Sequence, residues 1–278
     1  MKHQNQSFDE RQSDQGGNAT LVRDGRFLSD GLGREVRYRV LLPADYDSSS
    51  YRYPVLYLLH GLYGDCENWT TRTHLNRYAA GLNLIIAMPD AGNSWYADSR
   101  HASAANAGGS MFETYIAKDF IQEIDGHYRT LLERHTRAIG GLSMGGYGAV
   151  KLALKYPELF VMAGGISSAF DAPRDLHEKN PEFREELLQA FGPPHDPTRK
   201  QNDVFELAAQ AKGKQLPYFY LDCGTGDSFI QSNREFAQRL LGLGIPYEYH
   251  EVPGAHAWDY WDSAIARFLQ ALKQKMAV

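Results

Sequence analysis

The chain reads as one α/β domain with a mostly parallel central sheet, helices on both faces and a small helical excursion. Two patterns predict this. Short apolar runs alternate with longer segments of helical periodicity. Several runs, PVLYLLHG and LIIAMPDA among them, are continuously apolar and end in turn residues, as strands buried on both faces do. Composition agrees, because 278 residues with 43% hydrophobic and 23% charged side chains suit a single large globular unit that buries its core without staples.

The elements follow in order. Residues 1–18, within MKHQNQSFDERQSDQGGNAT, are polar enough to be expected as a disordered tail, which leaves 19–278 as the domain. EVRYRVLLP alternates like a half-exposed strand, and PVLYLLHG and LIIAMPDA are buried strands. ETYIAKDFIQEIDGHYRTLL carries Tyr115, Ile116, Phe120, Ile124 and Tyr128 at helical spacing. TRAIGGLS is the next strand, and a helix runs from the glycines through YGAVKLALKYP. FVMAGGISS and PYFYLDCG are strands, NREFAQRLLGLG is a helix closed by a C-cap glycine, YEYHEVPG is the last strand, and AWDYWDSAIARFLQALKQK is the last helix. Residues 171–213 break the alternation, being polar, proline-punctuated and suited to short helices. They read either as a surface excursion or as a partial cap over a site.

Charge and cysteine content narrow the function classes. With 29 basic against 34 acidic residues, a net charge of -5 and no basic block, the chain offers nucleic acid no electrostatic footprint. Cys66 and Cys223 exclude a disulfide framework and form no C-x-x-C metal or redox pattern, although one bridge between them stays open. The N-terminus has no apolar run for a signal peptide, and the longest apolar runs are too short to span a bilayer. A soluble cytoplasmic protein without a membrane partner is therefore expected.

Residues 140–148, GGLSMGGYG, place five glycines around one serine. Gly141-Leu142-Ser143-Met144-Gly145 matches G-x-S-x-G, the turn between a strand and a helix that exposes a nucleophilic serine above a sheet. Glycines there let strand, turn and helix approach closely. Serine needs a base to take its proton, and the base needs an acid to fix its tautomer. In this fold they follow in the order serine, acid, histidine. The acid is Asp227 in the loop CGTGD, where the bland alternative is an Asx turn or helix cap, and Asp222 at the strand's end is its rival. The base is His256 in VPGAHAWDYW, since His250 falls inside a strand and every other histidine precedes the acid. Two amides complete an oxyanion hole: that of Met144, after the serine, and that of Leu62 in the loop HGLYGD.

These residues, taken with YPVLYLLHGLYGDCENW, MPDAGNSWYAD, ETYIAKDFIQEID, IGGLSMGGYGA, LDCGTGD and GAHAWDYW, resemble the esterase D-like branch of the α/β-hydrolases over nearly the whole chain from about residue 30. That branch includes small-ester carboxylesterases of tributyrin type, S-formylglutathione hydrolases, feruloyl and acetylxylan esterases, and mycolyltransferases. The resemblance implies the same Ser143, Asp227 and His256 triad and the Leu62 and Met144 oxyanion hole. It further implies that Trp95, Tyr96 and Trp258 border a substrate pocket shaped also by Leu62 and Tyr63, with core or rim packing as the alternative for the aromatics. The expected activity is a serine carboxylesterase for small or short-chain acyl esters that needs no metal or organic cofactor. S-formylglutathione hydrolase, feruloyl or acetylxylan esterase and, further off, acyltransferase are its alternatives.

Overall fold

The computed structural model describes residues 20–101, 110–174, 183–211 and 213–276. The polar stretch 1–18 lies outside them, as do 175–182 and 212 of the polar excursion. Eight strands form the main sheet in the order β1-β2-β4-β3-β7-β8-β9-β10. They are β1 (Leu21–Ser29), β2 (Arg34–Leu42), β3 (Val55–Leu59), β4 (Ile85–Pro89), β7 (Arg137–Leu142), β8 (Met162–Ile166), β9 (Tyr218–Gly224) and β10 (Tyr247–Val252). β5 (Asp98–Ser99) and β6 (Ser110–Met111) pair separately. β2 runs antiparallel to β1 and β4, and all other pairs in the main sheet are parallel.

The helices are α1 (Asn68–Arg72), α2 (Leu75–Ala79), α3 (Phe112–Thr114), α4 (Ile121–His127), α5 (Met144–Lys155), α6 (Arg184–Phe191), α7 (Pro197–Asn202), α8 (Val204–Gln210), α9 (Ile230–Leu243) and α10 (Trp258–Met276). Continuous apolar strands require cover on both faces, and both are covered. Val55, Tyr57 and Leu59 pack with Tyr147, Phe160 and Phe236 on one side, while Leu56 and Leu58 pack with Trp69, Ile265 and Phe268 on the other.

Two elements depart from the sequence reading. β1, which the alternation did not reveal, pairs along its whole length with β2, from Leu21 opposite Leu42 to Ser29 opposite Arg34. Its Gly25 interrupts the strand pattern because the Tyr38 ring lies against it, and a Cβ there would stand 2.5 Å from the Tyr38 hydroxyl. The helix expected across 113–132 ends at His127, with Tyr128 extended, and widens into a π-helical stretch at Tyr115–Phe120. That stretch turns Asp119 inward, where its Oδ2 accepts from Ser29 Oγ at 2.6 Å and from the Gly31 amide at 2.8 Å. Cys66 and Cys223 are buried and free, so the bridge left open above is not formed.

Candidate active site

Strand register sets the site. Leu59 lies opposite Gly141, Leu142 opposite Ile166, Ile166 opposite Asp222, and Gly224 opposite Val252. The parallel strands therefore end at one level, and the loops beyond them carry Leu62, Ser143, Asp227 and His256 to a single edge of the sheet.

Ser143 turns between β7 and α5 with φ 53° and ψ -117°. Such left-handed backbone costs about 1–3 kcal/mol in a non-glycine residue and persists only where its surroundings fix it. Here the Ser143 amide donates to Ile166 O at 2.9 Å, and its carbonyl accepts from the Tyr147 and Ala169 amides. The glycines make room: a Cβ on Gly141 would meet the Gly145 carbonyl carbon at 2.5 Å, and one on Gly145 would meet His60 O at 2.5 Å.

His256 Nε2 lies 3.0 Å from Ser143 Oγ, and Nδ1 lies 2.9 Å and 3.1 Å from the two Asp227 oxygens. An ionised carboxylate only accepts, so Nδ1 carries the proton and Nε2 presents a lone pair to the serine hydroxyl. The imidazole sits edge-on between Phe229 and Trp261, with ring centroids at 5.1 Å and 4.9 Å. The Asp227 and His256 loops are knitted by backbone bonds, from Thr225 N to Val252 O at 3.0 Å and from Gly226 N to Gly254 O at 2.8 Å.

Asp227 makes the contacts of both readings at once. Its Oδ1 accepts from the Phe229 amide at 2.8 Å, the Asx turn leading into α9, while the carboxylate also receives His256. Burial alone would raise its pKa, but the His256 hydrogen bond and charge, followed by the Phe229 amide, outweigh it and hold the carboxyl below the usual range. Asp222 is otherwise engaged. Completely buried, it takes a two-pronged bond from Arg267 at 2.8 Å and 3.0 Å, a bond from Tyr220 OH at 2.9 Å and another from Tyr260 OH, which tie β9 to α10.

Met144 opens α5, where an amide has no acceptor within its own helix. The loop carrying Leu62 runs alongside, since a Cβ on Gly61 would lie 3.5 Å from Ser143 Cβ. Tyr63, 65% exposed, stands at φ 60° on this loop; its amide donates to Asn93 Oδ1 and its hydroxyl to Glu186 Oε1 on α6, both at 2.8 Å. Trp258 is half-buried and stacks edge-on with Trp69 and with Trp261, whose ring lies against His256.

Trp95 and Tyr96 do not border an open pocket. They are 2% and 0% exposed, because Trp95 packs between Tyr147 and Phe191 and Tyr96 lies over Gly148, with its hydroxyl bonded to His60 O at 2.9 Å. The sequence reading passed over His60, Glu113 and Lys151, all buried near the elbow. One signal was present for Lys151: it shares a helical face with Met144, Tyr147 and Gly148, whose neighbours are apolar. The excursion supplies α6, α7 and α8, and Tyr147 OH on α5 donates to Asn202 O at the end of α7 at 2.8 Å. Among the described residues no group of three or more His, Cys, Asp or Glu side chains could hold a metal ion, and no helix is long and apolar enough to cross a membrane.

The family model described as "Putative esterase" matches residues 29–272. An acetyl esterase of Caldicellulosiruptor saccharolyticus is 28% identical over 255 residues, covering 86% of this chain and 93% of that protein. An esterase of Mycobacterium tuberculosis is 32% identical over 256 residues, covering 84% of this chain and 55% of that longer protein. Among solved structures, the substrate-bound fluorophosphonate-binding serine hydrolase F of Staphylococcus aureus aligns with a TM-score of 0.80 at 27% identity, covering 91% of this chain and 98% of that one. The S-formylglutathione hydrolase of the same organism aligns at 0.76 and 26% identity, covering 91% and 98%.

Proposed function

The chain belongs to the "Putative esterase" family of the α/β-hydrolase fold, and from that membership we propose that it is a serine carboxylesterase for small, short-chain acyl esters. The observation that carries the proposal is the unbroken line of hydrogen bonds from Ser143 Oγ through His256 to Asp227.

Ser143 Oγ attacks the ester carbonyl as His256 Nε2 takes its proton, and Asp227 stabilises the imidazolium through Nδ1. The Met144 and Leu62 amides receive the oxyanion. The alcohol departs with the proton from His256, leaving an acyl-serine. Water, deprotonated by His256, then attacks the acyl carbonyl, and the acid leaves as Ser143 Oγ regains a proton. These steps need only side chains, backbone amides and water. The short-chain preference is supported by the similarity to the acetyl esterase over nearly the whole length of both chains. Trp258, packed on the Trp261 ring that lies against the base, and Tyr63 on the oxyanion loop would border the substrate, with α6 closing on Tyr63 as a partial cap.

A second reading, thioester hydrolysis of S-formylglutathione, is favoured by the likeness to the staphylococcal enzyme. The test is kcat/KM for a butyrate ester, S-formylglutathione and methyl ferulate on the same preparation. The butyrate ester is expected to be the best of the three, and a preference of about 10² or more for either of the others would replace the short-chain reading.

A further inference from the structure

Lys151 is 0% exposed, yet it lies on α5 about two turns beyond the Met144 amide. Its three N–H bonds meet three acceptors: Tyr96 O at 2.5 Å, Glu113 Oε2 at 2.9 Å and Asn202 Oδ1 at 3.1 Å. Tyr96 passes the connection on. Its backbone is held with that of Trp95 in the left-handed region, at φ 53° and 52°, and its hydroxyl donates to His60 O at 2.9 Å. His60 Nδ1 in turn donates to Gly61 O at 2.8 Å and Nε2 accepts from the Ala91 amide at 3.0 Å, so the buried ring is fixed as one neutral tautomer. The next amide along the chain is that of Leu62.

We propose that Lys151 and Tyr96 are positioning residues that set the Leu62 oxyanion amide relative to the Met144 amide. The inference rests on the oxyanion hole of the proposed esterase. One helix then governs both donors: α5 presents Met144 directly and, through Lys151, Tyr96 OH and His60 O, holds the loop that presents Leu62. The fit of Tyr96 over Gly148, where a Cβ would stand 2.5 Å from the ring, belongs to the same arrangement, since it brings the phenol to the His60 carbonyl. A hydroxyl aimed at that carbonyl is not needed to fill space.

Tyr96→Phe removes only the hydroxyl. The variant is compared with the wild type by kcat and KM on a short-chain p-nitrophenyl ester. It is also compared by inhibition with an alkylboronic acid, whose tetrahedral adduct on Ser143 places an oxygen in the oxyanion site, and by amide hydrogen exchange over residues 60–64. Expected are a fall in kcat of at least about tenfold with KM within about twofold, weaker boronate inhibition by a similar factor, and faster exchange in the loop. Lys151→Met should shift the same quantities in the same sense. Tyr53→Phe, which loses part-buried phenol bonds to Ser49 at 2.5 Å and to Asp45 at 3.2 Å, should leave all of them unchanged. Unchanged kcat, boronate affinity and loop exchange in Tyr96→Phe would overturn the proposal, whatever its effect on melting. Exchange requires no substrate, so an inactive wild type would count against the esterase reading and not against this positioning role.

Discussion

Asp222 and Asp227 lie on one strand and the loop that follows it, but their surroundings divide the labour between them. Arg267, Tyr220 and Tyr260 occupy Asp222, so Asp222→Asn should cost about 1.5–3 kcal/mol of stability by removing the buried carboxylate that the half-buried guanidinium and two phenols bond, while kcat/KM stays within about threefold. Urea unfolding and ester kinetics on one preparation read both. Asp227→Asn should behave in the opposite way. Its amide oxygen can keep the bond to the Phe229 N–H, so the fold survives, but the side chain no longer enforces the His256 tautomer, and kcat should fall by about 10⁴. A triple substitution is not needed to separate them. Chain order and the turn residues around Ser143 pointed in the sequence to three residues that the structure brings within hydrogen-bond reach of one another. The burial of Trp95 and Tyr96 was not, because an aromatic side chain in a loop reads alike whether it faces substrate or supports the loop from behind.

At the scale of elements, the turn from β7 into α5 depends on close backbone approach. Gly145→Ala would bring a methyl within 2.5 Å of His60 O and 2.6 Å of Leu59 O, both main-chain atoms with little freedom to move. It should cost about 1–3 kcal/mol and displace the Leu62 loop, measured as a lower urea midpoint together with reduced kcat. The buried strands were readable because both of their faces are apolar. β1 was not, since its nine residues carry Arg23, Asp24, Gly25 and Arg26, and its strand conformation comes from pairing with β2. The π-helical turn was equally hidden, because Tyr115, Ile116 and Phe120 satisfy a helical period whether or not one turn widens. The inward turn of Asp119 toward Ser29 and Gly31 appears only once β1 is in place.

Across the whole molecule, buried Glu113 and Lys151, with half-buried Lys155 and Tyr156, join α3 to α5 and, through Asn202, to α7. Burial would raise the Glu113 pKa, but Lys151 and Lys155 outweigh it and hold the carboxyl down at about 2. A carboxyl depressed in the folded state contributes stability that is fully present above its unfolded pKa of about 4.3 and is lost as the pH falls toward the folded value. Glu113→Gln should therefore flatten the loss of stability between about pH 4.5 and 2, and should lower stability at pH 7 by leaving Lys151 without its counter-charge. Unfolding curves across that pH range measure both effects. Ester hydrolysis through Ser143 is the chemistry proposed for this fold. The direct test is a hydrolysis profile of p-nitrophenyl esters from acetate to palmitate on wild type and Ser143→Ala side by side. Turnover that peaks at short chains and falls by about 10³ or more in the variant is the predicted result. Undiminished turnover in folded Ser143→Ala, or none by the folded wild type on any chain length, would contradict it.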